Sequence, residues 1–270
     1  EDLTMTLKFW ARSFLVLTLF GAATSVFATE ITSPAKQAHV TDFATGKVLF
    51  SKDANAPMKP ASMAKIMTIF VAFQRIADGQ LGMDDKFIVS EKAWKKGGSR
   101  TFLEVGKTVS VRELLYGIIV QSGNDAAIVL AEGISGTENA FADEMNFWAK
   151  KIGMKNTNFR NSTGWPDPDQ TTTAADLNIM TSELIRRFPA NKYPNLYPIF
   201  AERECTYNKI SQPNRNPLIY GSAGADGLKT GYTKESGYGL VGSAERDGQR
   251  VIMVLNGMTS MKQRSAESRR

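Results

Sequence analysis

Strand-forming sequence stands at both ends of this chain and helix-forming sequence fills the middle, which leaves few ways to bury its apolar residues. Near the start, "QAHVTDFATGKVLFSKD" (37–53) reads as two short strands about the turn Ala44-Thr45-Gly46. After residue 200 come "GLKTGYT" (227–233), "YGLVGSA" (238–244) and "VIMVLNGM" (251–258), with Asp247-Gly248 as a hairpin signal. Between these ends a helix is expected from Pro60–Ser62 to about Asp78, stopped by Gly79. A short strand follows at 86–90, then a glycine-containing loop, "KKGGSRTFLEVG" (95–106). Ser110 and Glu113 form a capping-box pattern ahead of "VRELLYGIIVQ". That helix halts at Ser122-Gly123-Asn124, and "DAAIVLAEGI" begins the next. "TENAFADEMNFWAKKIG" and "TAADLNIMTSELIRRF" are amphipathic helices separated by the loop "NTNFRNSTGWPDPDQTT" (156–172). "SMKQRSAESRR" starts a last helix. The order is not a βαβ alternation. It predicts an α+β fold, an antiparallel sheet flanked by helices with a mainly helical lobe beside it.

At 270 residues, 42% hydrophobic and 22% charged, the chain can bury a substantial core without disulfides. Its first 28 residues differ in kind. "KFWARSFLVLTLFGAATSVFA" (8–28) joins cations at Lys8 and Arg12 to an apolar run and a small-residue cleavage site. A signal peptide over 1–28 is therefore expected, with export to the periplasm or the outer face of the cytoplasmic membrane and one domain over 29–270. The net charge is +6, which suits an anionic surface such as a cell wall or simply aids solubility. No aromatic-basic interleaving points to nucleic acid. One cysteine and one histidine exclude an internal disulfide and a Cys/His metal cluster. Cys205, in the strand-like "RECTYNKI", is expected to be a buried or half-buried thiol, and His39 a structural residue on a strand.

Ser62 and Lys65 share one face at i and i+3. A serine hydroxyl needs a base within reach to act as a nucleophile, and with His39 placed elsewhere a lysine of lowered pKa can serve. Alone, S-x-x-K is a weak signal. Ser122-Gly123-Asn124 adds a second hydroxyl for proton transfer and a carboxamide able to hold the lysine, with the glycine expected to relax the turn. Lys229-Thr230-Gly231 adds a strand whose edge can take a substrate backbone, a glycine that lets a ligand come close, and a second cation expected to depress Lys65 and attract a carboxylate. Each motif has a bland explanation. Their joint order and setting do not: S-x-x-K heading a helix, S-x-N joining two helices and K-T-G on a late strand is the set of penicillin-binding proteins and class A β-lactamases.

With these motifs, and with "DFATGKVLFSKDANAPMKPASMAKIMT", "LLYGIIVQSGNDAAIVLAEGISGTENAFADEMN", "IGMKNTNFRNSTG" and "DGLKTGYTKESGYGLVGSAERDGQRVIMVLNGM", the chain resembles the low-molecular-mass penicillin-binding proteins, specifically the D-alanyl-D-alanine carboxypeptidases. The resemblance runs from about residue 35 to the end. It implies that Ser62 attacks the carbonyl between the terminal D-alanines of a peptidoglycan stem peptide while Lys65 takes its proton. It implies an oxyanion hole from the N–H groups of Ser62 and Tyr232. Ser122, Asn124 and Lys229 complete the catalytic set, and Thr230, Gly231, Tyr232 and Arg264 bind substrate, with Thr230 and Arg264 on the terminal carboxylate. Arg215 matches a family position near the site. β-Lactams are expected to acylate Ser62, and the site so read needs neither cofactor nor metal.

Tyr232 stands where some relatives carry histidine, and the chain ends shortly after Arg264, where relatives continue into a β-rich domain and an amphipathic anchor. Membrane association is thus not supported by the residues present. A D,D-endopeptidase cutting cross-links would use the same motifs. A class A β-lactamase would need a glutamate in the loop that here holds Asp167 and Asp169. A non-catalytic wall-binding protein finds no support in motifs that are all intact.

Overall fold

The computed structural model describes residues 31–270; the leader read over residues 1–28 lies outside them. In chain order the elements are β1 (Gln37–Asp42), β2 (Val48–Lys52), α1 (Lys65–Ala77), β3 (Lys86–Ile88), α2 (Glu91–Lys95), β4 (Thr108–Ser110), α3 (Val111–Val120) and α4 (Asn124–Ser135). Then follow α5 (Glu138–Lys151), α6 (Ala174–Arg187), β5 (Glu204–Tyr207), β6 (Ile210–Pro213), β7 (Ala225–Thr233), β8 (Gly237–Arg246), β9 (Gln249–Met258) and α7 (Met261–Arg269). Residues Ser33–Arg270 form one compact unit.

The two strand-forming ends meet. A five-stranded antiparallel sheet runs β2-β1-β9-β8-β7, with β1 paired to β9 so that His39 faces Val254 across the ladder. β8 and β9 turn through Asp247-Gly248, both at positive φ (51° and 75°), as a two-residue hairpin of right-handed twist requires. Both faces of β9 are covered. Ile252 and Val254 join the main core, while Leu255 on the opposite face joins a smaller cluster with Ala35, Ala38 and Met258. α6 packs on β9 and β1, and α7 on β8 and β9.

α1 is the axis of the molecule. Ile66, Met67, Ile69, Phe70, Val71, Ala72 and Phe73 are all buried, so the first turns of the helix are enclosed on every side, and it packs against α3, α4, α5 and α6. Burying each of its larger side chains stabilises the fold by roughly 1.5–3 kcal/mol. The helix expected from Pro60 opens as a 3-10 turn, Ala61–Ala64, and becomes α-helical only at Lys65. α3 carries the expected capping box, Ser110 Oγ accepting from Glu113 N and Glu113 Oε2 from Ser110 N. α2 and β4 have no counterpart among the expected elements; both are short, and β4 is held by pairing with β3. Cys205 is buried on β5, as expected.

A polar cross-brace fixes the strand that carries Lys229-Thr230-Gly231. Arg250 on β9 donates to Asp226 Oδ2 on β7 (2.7 Å) and to Ser243 Oγ on β8 (2.5 Å), and pairs with Glu245; Tyr197 donates to Asp226 Oδ1 (3.0 Å). Removing the guanidinium strands a carboxylate that keeps 27% of its exposure. Arg250→Ala is therefore expected to lower unfolding free energy by about 2–3 kcal/mol, below the value for a fully buried pair, seen as a lower midpoint in thermal melts.

Candidate active site

The turn Ala61–Ala64 presents Ser62 because three contacts leave it no other course. Met63 is fully buried, and its side chain lies over Gly231 and Gly239, cross-strand partners on β7 and β8. A Cβ on Gly231 would meet Met63 Cγ at 3.1 Å and Pro60 O at 3.2 Å; one on Gly239 would meet Met63 Cε at 2.7 Å. Gly231 was expected to admit a ligand; what fills its vacant side is the serine turn itself. From the other flank Gly164, at φ +76°, lies so close that a Cβ there would sit 1.7 Å from Ala61 O. Ala61 takes φ 48°, a left-handed backbone held by this wedge.

Lys65, the first residue of α1, is carried into the core with no exposure. Its Nζ reaches Ser62 Oγ at 3.0 Å, Asn124 Oδ1 at 2.7 Å and Thr163 O at 2.5 Å. Asn124 is oriented by its own Nδ2, which donates to Gly97 O at 2.8 Å, so its oxygen faces the lysine. Two of the three partners can only accept. When the amine is neutral its two N–H groups satisfy them, and its lone pair falls to the one partner with a proton to give, Ser62. Burial, then the charge of Arg215, lowers the Lys65 pKa to about 7, with Asp125 and Glu138 pulling upward and Lys96 downward. The cation that ranks after burial is Arg215, and not the expected Lys229.

Lys229 is buried on β7, and burial followed by the charges of Lys65, Arg215 and Arg264 holds it well below the usual lysine range. Its Nζ makes a hydrogen bond of 3.3 Å to Thr230 O, not to Ser62 or Ser122, among the described residues. Ser122 occupies φ 63°, and its buried Oγ has no partner among the described residues. Gly123, by contrast, is at φ −54°: the residue taking the left-handed turn is the serine, and the glycine is there because a Cβ would strike Thr101 Oγ1 at 2.1 Å.

Ser62, Ser122, Asn124, Thr230, Gly231, Tyr232 and Arg264 all line one cleft of about 920 Å³, with Arg215 and Trp165. β7 is the edge of its sheet, so its free side faces this space. Tyr232 is half exposed and stacks on Tyr238 with centroids 4.2 Å apart, and the Arg264 guanidinium stands over the Tyr238 ring. Arg264 Nε is a buried donor with no partner among the described residues. Arg215 donates to Ser99 Oγ across the cleft. The unsatisfied Arg264 donor suits an anionic group.

Sequence reasoning missed the supports beneath these groups. Asp125 buries its carboxylate under the turn, accepting from Thr101 N at 2.8 Å, Leu103 N at 3.2 Å and Ala126 N at 2.9 Å. An acid in the first turn of a helix was the only available hint. Thr163 acts through a backbone carbonyl, which no residue type discloses.

Known proteins share this chain's sequence pattern and its fold. The family described as D-alanyl-D-alanine carboxypeptidase matches over residues 23–259. The D-alanyl-D-alanine carboxypeptidase DacF of Bacillus subtilis is 41% identical over 238 residues, covering 88% of this chain and 61% of the relative. Penicillin binding protein 5 from Haemophilus influenzae superposes with a TM-score of 0.84 at 36% identity, over 89% of this chain and 70% of that one. Penicillin-Binding Protein D2 from Listeria monocytogenes, in an ampicillin-bound form, gives a TM-score of 0.79 at 29% identity, over 89% and 96%. The chain thus spans about three fifths of the length of curated relatives such as DacF. With the family matched over most of its residues and the fold shared, the chain belongs to the D-alanyl-D-alanine carboxypeptidase family.

Proposed function

We propose that this chain is a serine-type D-Ala-D-Ala carboxypeptidase, which removes the terminal D-alanine of peptidoglycan stem peptides through an acyl-enzyme. The observation that carries the reading is Lys65 Nζ, lowered to about 7 and 3.0 Å from Ser62 Oγ, with acceptor-only groups on its other two sides. Ser62 attacks the penultimate carbonyl as Lys65 takes its proton. The N–H groups of Ser62 and Tyr232 stabilise the oxyanion. Ser122, assisted by Lys229, passes a proton to the departing D-alanine, and water then cleaves the ester. Asn124 fixes the base and offers its amide to the substrate. Thr230 and Arg264 bind the terminal carboxylate along the β7 edge, with Gly231 and Tyr232 beside them. β-Lactams, which mimic the dipeptide end, acylate Ser62, as ampicillin binding by the Listeria protein supports. Residues 1–28 direct export, so the catalytic domain over 29–270 works in the periplasm or at the outer face of the cytoplasmic membrane.

The test is release of free D-alanine from a stem pentapeptide. Cleavage of a cross-linked dimer without D-alanine release would instead assign an endopeptidase. The pH dependence has a fixed sign. Below about 7 the amine holds its proton and cannot act as base, so acylation slows by about tenfold for each pH unit; above it the rate levels off. A stopped-flow acylation profile with a penicillin checks this.

A further inference from the structure

Beneath the base lies a carboxylate with no place in the reaction just described. Glu138 opens α5 and is 6% exposed. Its Oε1 accepts from Ser162 N at 3.2 Å and Ser162 Oγ at 2.8 Å, and its Oε2 pairs with Lys92 at 2.8 Å. Burial pushes this carboxyl up, but the Lys92 and Ser162 hydrogen bonds outweigh burial and hold it below the ordinary range, so it is ionised.

The segment it grips is the one that touches α1. Ser162 O accepts from Thr68 Oγ1 at 2.7 Å, and the next carbonyl, Thr163 O, accepts from Lys65 Nζ at 2.5 Å. Thr68 and Lys65 are one helical turn apart, so two successive carbonyls dock on one face of α1. Asn161 Oδ1 ties the following residues, accepting from Gly164 N and Trp165 N. Gly164 in turn is the wedge against Ala61 O. One carboxylate thus secures the carbonyl that orients the base and the glycine that shapes the nucleophile's turn.

We propose that Glu138 is a positioning residue for the Ser62–Lys65 pair: it fixes the Ser162–Thr163 backbone against α1 and keeps a negative charge behind the lysine amine. The inference rests on the reading of Lys65 as the base. The charged groups bearing on Lys65 come from every side: Asp125 from α4, Glu138 from α5, Lys96 after α2, Arg215 after β6, with Lys229 on β7 responding to it. Of the two carboxylates, Asp125 is committed to backbone N–H groups of the Thr101 loop, and Glu138 to the segment Lys65 binds.

The experiment follows acylation of the full chain by a fluorescent penicillin against pH, for the wild type, Glu138→Gln, Glu138→Asp, Glu138→Ala and Lys65→Ala. Glu138→Gln retains an acceptor for Ser162 and loses the charge. Its rising limb is expected to move to lower pH by on the order of half a pH unit, the effect of one partly screened charge. Glu138→Asp retains the charge but falls short of Ser162: its limb stays and its plateau drops about tenfold, the scale of a sub-ångström misplacement. Glu138→Ala shows both changes. A Glu138→Gln limb at the wild-type position, or loss of thermal stability with rates untouched, overturns the proposal. Should Glu138→Gln not fold, Ser162→Ala serves: a lowered plateau with the limb in place supports it, and an unchanged plateau overturns it. Lys65→Ala labelling as fast as wild type would sink both this inference and the reading beneath it; a wild-type limb that Glu138→Gln leaves unmoved sinks this one alone.

Discussion

Ser62→Ala is expected to abolish covalent labelling by penicillin, and Lys65→Ala to slow it by roughly 10²–10⁴-fold, the usual contribution of a general base. Lys65 has no exposure and three partners, of which only Ser62 can surrender a proton. Alanine at 62 deletes the one hydroxyl on the lone-pair side. Ser122 Oγ also lies in the cleft, but no hydrogen bond joins it to Lys65 among the described residues. Alanine at 65 leaves the hydroxyl in place at its own poor nucleophilicity and frees Asn124 Oδ1 and Thr163 O. Intact-protein mass after incubation with penicillin reads both variants: no added mass for Ser62→Ala, slow addition for Lys65→Ala. Full labelling of Ser62→Ala would mean another nucleophile.

Gly164→Ala carries the next largest effect, although residue 164 has no chemical group to offer. Its Cβ would fall 1.7 Å from Ala61 O, a backbone atom that cannot swing aside, and its φ of +76° disfavours any side chain. The turn Ala61–Ala64 must move, yet Met63 holds it over Gly231 and Gly239. Displacement by an ångström is worth about 10²-fold in rate, so acylation is expected to fall by at least about that factor. The melting temperature should drop as well. The check is a burst measurement with the fluorescent penicillin at saturating concentration. Wild-type rates would show that the serine turn tolerates a shift and that the wedge is irrelevant to catalysis.

Much of this was legible in the residues. Ser110-x-x-Glu113 announced α3, Asp247-Gly248 announced the β8–β9 hairpin, and the strand-forming ends announced a sheet that closes the chain on itself. These are local signals, each set by hydrogen bonding or dihedral preference within a few residues. The three motifs were legible because order and setting repeat a known pattern. What escaped was support from afar: Glu138 gripping Ser162, Asp125 under the Thr101 loop and Met63 lodged over paired glycines. Nor did the sequence show that Gly123 and Gly231 are dictated by close neighbours and not by the turn or the ligand.

By itself, then, the sequence determined which side chains could react and which backbone turns would form around them, because those properties depend on residue type and on near neighbours. Only the tertiary structure decided what surrounds Lys65. Its partners Asn124 and Thr163 lie 59 and 98 positions away, and its lowered pKa comes from desolvation by a core built around α1 and from Arg215, which arrives from the far side of the cleft. Loss of water and the approach of a distant charge act through space, and no stretch of chain carries them in its own residues.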